Sequence, residues 1–559
     1  MASLDQLPED VLLLIFNHLN VQDVLCVRRT SKYLCDLSCS LSLWRSIYSQ
    51  LSRLLPLARA PSFISSDIPD SMHTLRRQYE QSCINAVRLA RNWGSDEPVP
   101  TECWLIRGAR SVEKIQLLGE GRWMLALVNE RQVVLYDLLP RKERVGGATG
   151  RFPEGQNPKR RAKQPMRVFK KAQKFSVFTR AGGVGDFCTF ESWLQEDELR
   201  VIISWRGERT STDFLRVSLS ESGLSSSVSN WGSRRDFEVF HSVNALSTRR
   251  SLAISLNERM AVVDDSNGLL RVFNWDTCED RVISTWCPSP ATNVAQGWSR
   301  EQILSLLLLP NHVLVLKPTS LQLLPLPDSS LVTGGPHATA SNLPQGRAGN
   351  QGEVWHLPFR VDRARWSSPY SSHDGGHSIK NLQPLSLMLE DEEMGSIHHF
   401  RLRLRESFIT RSAPHAGTRE TGSSISADPA SAQAPYLFPP VLEDELPMDL
   451  VHYQYGERPF CTARSGGLKL LYTEDGLRMW VSSSIASAWD SICSPESEEE
   501  QVDSHNLNRS FKELLYHTPL RRSYPSEGLS ICEVSGRVAV GQGRGDIWVF
   551  GFGFSETDT

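Results

Sequence analysis

Between residues 101 and 554 one short strand pattern returns seven times, and nothing else in the chain limits its folds as much. It reads Gln132-Val133-Val134-Leu135-Tyr136-Asp137, then Asp213-Phe214-Leu215-Arg216-Val217, then Gly268 through Asp276, and Ser320-Leu321-Gln322-Leu323-Leu324. It continues with His399 through Leu404, Gly476 through Trp480 and Gly545 through Phe550. Each copy is a run of β-branched, aromatic and leucine residues bounded by Gly, Asn, Asp or Ser, which is strand composition. Several copies follow shorter runs of the same kind across tight polar turns, as with 252–256 and 260–264 before Leu269–Trp275. These groups read as antiparallel meanders, and a single meander cannot cover both of its faces.

Self-similar meanders repeated in one chain solve that problem by stacking around an axis, the signature of a β-propeller. The fold class expected is mainly β, a propeller of about seven blades over 101–554, with six or eight blades as the alternatives. From Val134 to Ile547 there are 413 residues in six intervals, about 69 each, against roughly 40–45 for a compact blade. Insertions must take up the excess. Four stretches rich in Gly, Pro, Ser and charge fit that role, 139–166, 327–352, 406–446 and 490–512, and they read as irregular chain. The repeat near 384–405 shows only two clear strands. An open array would also leave bare strand edges. With the recurrent strand third of four in each blade, the last repeat lacks a fourth, since nine residues follow Phe550. Glu102–Arg107 is expected to supply it beside Ile547–Phe550, bringing the two ends of the array together next to the preceding helix.

That helix belongs to an N-terminal part of different character. Leu4 to Tyr48 holds 24 apolar residues in 45, too many for so short a stretch to bury by itself. Pro8 has the fixed φ, and Glu9 and Asp10 the negative charge, that suit the first turn of a helix running to about His18. Val11, Leu12, Ile15, Phe16 and Leu19 form one stripe, and Leu13 and Leu14 widen it beyond what one core-facing side requires. A second helix fits Val21–Val27 and a third fits 31–37, with Leu41, Leu43, Trp44 and Ile47 as a closing apolar knob. Pro56, Pro61 and Pro69 among serines mark a linker. Ser71 can then cap a helix of about 71–93, with Leu75, Tyr79, Cys83, Val87 and Ala90 at helical spacing and Gly94 as its stop. The expected organisation is a three-helix unit over 1–50, a linker with its helix over 51–95, and the β array.

Leu7-Pro8-Glu9-Asp10, Ile15-Phe16, Leu19, Asp23-Val24, Val27 and Leu43-Trp44-Arg45 together resemble the F-box motif across nearly its full length. Asn92-Trp93-Gly94 is similar to the segment leading into the first blade of F-box/WD-repeat proteins, and Asn274-Trp275-Asp276-Thr277 looks like the terminal Trp-Asp of a WD repeat. The other six repeats lack that dipeptide, so the array resembles a degenerate WD-like propeller. The resemblance implies that the small unit docks on a Skp-type adaptor and through it on a cullin-RING (SCF) ubiquitin ligase. The propeller would then hold a protein substrate, phosphorylated or not. Leu7, Pro8, Ile15, Phe16, Leu19, Val24 and Val27 are the residues expected to bury against the adaptor, because an apolar excess on a small helical unit is a sticky patch until a partner covers it. One alternative is a plain helical cap packed on the body of the protein. Another is a scaffold that binds the adaptor without delivering a substrate.

The remaining features mostly exclude. With 61 basic and 64 acidic residues, a formal charge of −3, no global field draws the chain to nucleic acid or an anionic bilayer, and neither is an expected partner. Eleven scattered cysteines without a Cys-x-x-Cys pair read as reduced and intracellular. Ile303–Leu316 is interrupted by Pro310, Asn311 and His312 and falls short of the ~20 residues of a spanning helix, and the N-terminus is acidic where a secretory signal is basic. A soluble protein of the cytoplasm, the nucleus or both is expected. Arg141–Lys171 holds eleven Lys/Arg against Glu143 and Glu154. Within it Lys159, Arg160, Arg161 and Lys163 resemble a short nuclear-import signal or a patch for an acidic partner, against the plain reading of a solvated loop. The acidic run Glu496–Glu500 reads as a solvated loop too. His373 and His377 sit four apart in a Gly/Ser stretch without further ligands, so no metal is expected. Gly541–Gly545 has the glycines of a phosphate loop but no helix after it, and reads as a blade turn. No Ser/His/Asp or Cys/His grouping has meaningful spacing, so neither catalysis nor a cofactor is expected.

Overall fold

The structure, a computed structural model, describes residues 7–52, 54, 55, 57, 70–95, 98–129, 131–138, 168–170, 172–179, 186–195, 198–206, 211–219, 237–244, 254–256, 260–264, 269–275, 277, 279–285, 303–309, 311–326, 352–367, 382, 384–391, 396–406, 435–446, 460–462, 468–473, 476–481, 489, 511–513, 525–542 and 545–553. The N-terminal part holds four short helices rather than three: α1 (Glu9–His18), α2 (Val21–Val27), α3 (Lys32–Ser38) and α4 (Leu41–Leu51). The expected closing knob is itself a helix, because Leu43, Trp44, Ile47 and Tyr48 fall on one stripe and all are buried. Helices this short do not persist alone. Side chains tie down two of their starts: Asn20 accepts from the Asp23 amide at 2.9 Å and Ser31 from the Leu34 amide at 3.2 Å. After the linker comes α5 (Asp70–Gly94), 25 residues and so about 37 Å long.

The chain then enters strands. β1 (Glu102–Ile106), β2 (Val112–Leu118), β3 (Trp123–Val128), β4 (Gln132–Asp137), β5 (Val168–Lys170) and β6 (Gln173–Thr179) come first. Next are β7 (Asp186–Gln195), β8 (Glu198–Arg206), β9 (Ser211–Ser218), β10 (Glu238–Asn244), β11 (Ile254–Leu256), β12 (Met260–Asp264), β13 (Leu269–Asn274) and β14 (Asp280–Ser284). They are followed by β15 (Ser305–Leu308), β16 (His312–Lys317), β17 (Ser320–Pro325), β18 (Glu353–His356), β19 (Val361–Trp366), β20 (Leu385–Asp391), β21 (Ile397–Leu402) and β22 (Val441–Leu446). The last are β23 (Phe460–Thr462), β24 (Leu468–Thr473), β25 (Gly476–Val481), β26 (Phe511–Glu513), β27 (Pro525–Cys532), β28 (Arg537–Gln542) and β29 (Ile547–Gly551).

Two compact units divide these elements. The first, Met1–Phe175 with Ser372–Gly375 and Tyr453–Thr559, contains the helices and the sheets β2-β3-β4-β6, β23-β24-β25-β26 and β27-β28-β29-β1-β5; the boundary falls within β6. The second, Ser176–Ser371 with Gly376–His452, contains β7 to β10, β11 to β14, β15 to β18 and β19 to β22, each joined in meander order. Seven sheets thus stand among the described residues. In every one the recurrent sequence pattern forms the third strand, namely β4, β9, β13, β17, β21, β25 and β29. The fold is mainly β and of propeller class, preceded by helices. Inner strands such as β3 and β16 are buried along their whole length, which is why they read as continuous apolar runs rather than alternating ones.

The last sheet takes its fourth strand from the start of the array. β1 pairs antiparallel with β29, Glu102 opposite Gly551 through Ile106 opposite Ile547. The repeat near 384–405 has four strands, not two. Its first is β19, and its fourth, β22, lies at the end of the stretch 406–446 that reads as irregular in the sequence; Tyr436, bridged to Leu404, leads into it. Likewise the end of 490–512 starts β26. Both are outer strands with one covered edge, so their sequences carry a weaker pattern. The insertions 139–166 and 327–351 lie outside the described residues.

Candidate adaptor-docking bundle

α1 starts at Pro8, whose carbonyl accepts from the amides of Val11 and Leu12, both at 3.1 Å, with Glu9 and Asp10 in the first turn where the helix dipole favours negative charge. Its inner side buries Leu12 and Phe16 against Val21, Val24, Leu34, Leu37, Leu43 and Trp44. The opposite side stays open: Val11 is 40% exposed, Leu14 62% and Ile15 37%. These three positions, i, i+3 and i+4, make one apolar row on the helix surface. Tyr33, at the start of α3, is 41% exposed.

The bundle is anchored on α5. Arg28, just past α2, donates to Glu80 Oε1 at 2.5 Å, to Ser38 Oγ at 2.9 Å and to the Ser38 carbonyl at 3.3 Å, and lies over the Trp44 ring. Trp44 Nε1 donates to that same Ser38 carbonyl at 2.8 Å. Tyr48 meets Tyr79 edge to face, 5.1 Å between ring centres, with Arg45 over the other ring. Cys83 is fully buried here; burial first and the Glu80 charge second push its thiol up to about 12. The far end of α5 rests on the last sheet: Trp93 packs on Trp489 and Phe552, and Asn92 Nδ2 donates to the Phe552 carbonyl at 2.8 Å. Gly536, at φ +66°, turns between β27 and β28 where a Cβ would collide with Leu89. One apolar cluster therefore runs from Leu12 through α5 to Phe552.

Of the seven residues expected to bury against an adaptor, Pro8 and Ile15 are exposed, and Leu7, Leu19 and Val27 are half-buried and packed on the bundle core. Phe16 and Val24 are not available: both are buried in the chain's own core. The correction follows from α4, whose Trp44 and Leu43 bring a second apolar wall to that side of α1. Conversely, Val11, Leu14 and Tyr33 were missed as candidate contacts. The signal was present, since Leu14 lies on the far side of the cylinder from Leu12 and Phe16. Lys159, Arg160, Arg161 and Lys163, the histidines 373 and 377 and the acidic run 496–500 lie outside the described residues. Gly541 and Gln542 end β28, and the Gly545 amide donates to the Gln542 carbonyl at 2.8 Å, a strand turn. Among the described residues no cluster of metal-ligating side chains occurs, and no helix is long and apolar enough to cross a membrane.

The F-box-like domain family matches residues 4–50, the span of this bundle. No curated protein matches the chain. Among solved structures, the WD40 domain of SCAP from fission yeast is 8% identical, over 80% of this chain and 85% of its own, with a TM-score of 0.37. The β-propeller domain of Cps50 (Swd1) from Myceliophteria thermophila is 9% identical, over 80% and 97%, at 0.41. Raptor from Chaetomium thermophilum is 7% identical, over 95% of this chain and 38% of its own, at 0.42. An F-box-like domain implies binding of a Skp-type adaptor. The chain carries an F-box-like domain over residues 4–50, followed by a mainly β array of propeller class.

Proposed function

We propose that this protein is a substrate receptor of an SCF-type ubiquitin ligase, acting in the cytoplasm or the nucleus. The open row Val11, Leu14 and Ile15 carries the reading: the bundle's core is complete, yet one side of its first helix still presents large apolar side chains to water. A Skp-type adaptor covering that row removes it from solvent, and through the adaptor the chain meets the cullin. The propeller holds the protein to be modified. Its contribution is proximity, since a substrate lysine held near the charged carrier enzyme reacts as part of one assembly instead of by chance encounter. A bundle fixed on α5, and α5 fixed on the last sheet, supports that role because a slack tether would dilute the effect.

The test is Val11→Glu with Leu14→Glu in the full-length chain. Covering what Val11 and Leu14 still expose, 40% and 62%, amounts to burying about one side chain of this size, about 1.5–3 kcal/mol, so adaptor co-purification is expected to drop about tenfold to a hundredfold, with α5 and the sheets unchanged by circular dichroism. Undiminished adaptor binding would refute the assignment. Accumulation of a bound protein on proteasome inhibition separates a delivering receptor from a scaffold.

A further inference from the structure

β5 is out of pattern. Among the pairings described it is the parallel one, with Glu102 opposite Val168, Cys103 opposite Phe169 and Trp104 opposite Lys170, and it turns a four-strand sheet into one of five. The strand it covers has a special place. α5 leads into β1 through Val99–Thr101, and Asn92 ties that corner by accepting from the Val99 amide at 2.9 Å and donating to the Val99 carbonyl at 2.8 Å. β1 is thus the root of the helical arm, flanked by β29 on one edge and by β5 on the other.

Only residues 171 and 172 separate β5 from β6, the outer strand of β2-β3-β4-β6. Val168–Thr179 therefore runs as the outermost strand of two sheets in succession, and these are the sheets that the β1–β2 connection already joins. The β6 end is held by Phe175, edge to face with Trp123 at 4.8 Å.

We propose that Val168–Thr179 is a strap that shields the edge of β1, the root of the helical arm, with β5 as its releasable end. β5 makes three residue pairs in the weaker parallel arrangement, whereas β1 makes five antiparallel pairs with β29. The strap can lift without the sheet coming apart. Lifting bares the β1 edge, and an unpaired edge is free to exchange its amide protons and to accept another strand. The inference does not depend on what the bundle binds.

Two variants of the full-length chain test it. Phe169→Cys places a thiol opposite Cys103, and neighbouring strands ~4.8 Å apart fall within the disulfide window of about 4.4–6.8 Å. Mild oxidation is expected to give a 103–169 cross-link, identified by peptide mass spectrometry; its absence would show that β5 is not seated and would overturn the proposal. In the second variant Val168, Phe169 and Lys170 become glycine. Amide exchange of Glu102–Trp104 is expected to quicken about tenfold or more, as for one or more lost hydrogen bonds, while the amides of β28 keep their rates. A cross-link in the first variant with unchanged β1 exchange in the second would mean a seated strand that shields nothing, and would also overturn it.

Discussion

Replacing Arg28 by alanine removes the side chain that joins the bundle to α5. Its side chain is 22% exposed and that of Glu80 13%, so the pair is largely out of water. Breaking a fully buried pair costs about 3–5 kcal/mol. Here two facts lower the figure: both partners retain some solvent, and Glu80 keeps Arg76 at 3.6 Å. Two bonds to Ser38 and the contact with Trp44 also disappear, while the Ser38 carbonyl keeps its bond from Trp44 Nε1. About 2–3 kcal/mol is expected, a 30- to 150-fold rise in the open population. Global unfolding of a chain with several units does not isolate this term. Native-state amide exchange over α3 and α4 does, because it reads local opening. A double-mutant cycle with Glu80→Ala should return about 1–2 kcal/mol of coupling. Exchange within threefold of the parent, or no coupling with Glu80, would refute the claim that this pair holds the bundle to the helix.

Trp93→Ala is expected to release the end of α5 from the last sheet, costing about 3–5 kcal/mol for a fully buried ring; faster proteolysis between residues 95 and 101 would report it. Gly536→Ala combines a left-handed φ with a collision against Leu89 and should destabilise by more than 1 kcal/mol, seen as quicker exchange in β27 and β28. Cys83 should resist iodoacetamide in the folded protein while the exposed Cys26 reacts. The same thiol makes the α4–α5 contact sensitive to alkali: its pKa is raised in the folded state, from 9.0 to about 12. The stability it contributes is therefore complete below pH 9.0 and is lost as pH climbs toward 12; Cys83→Ala should flatten that slope in a pH series of α4 amide exchange.

Several elements were legible because one local signal decides them. The third strand of every sheet carried the same apolar run between turn residues, and all seven could be placed by that alone. The start of α1 followed from Pro8 with Glu9 and Asp10; those of α2 and α3 are fixed in the structure by the side chains of Asn20 and Ser31, which satisfy early free amides of each helix. Elsewhere the local signal was thin. Leu41–Leu51 looked like a knob because its serines are weak helix formers, and only burial against α1 and α5 makes the helix worthwhile. β22 and β26 were hidden at the ends of long insertions. β5 had no strand pattern to find, since three residues at a sheet edge bury little.

By itself the amino-acid sequence determined the type of each strongly patterned element and the meeting of β1 with β29, because periodicity and turn chemistry act over a few residues and an uncovered edge demands a partner. Which side of α1 faces inward, and hence that Phe16 and Val24 are core while Leu14 stays at the surface, was decided only in the tertiary structure. That choice depends on where α4 and α5 place their own apolar walls, and a helix with leucine on nearly every side offers no preference of its own.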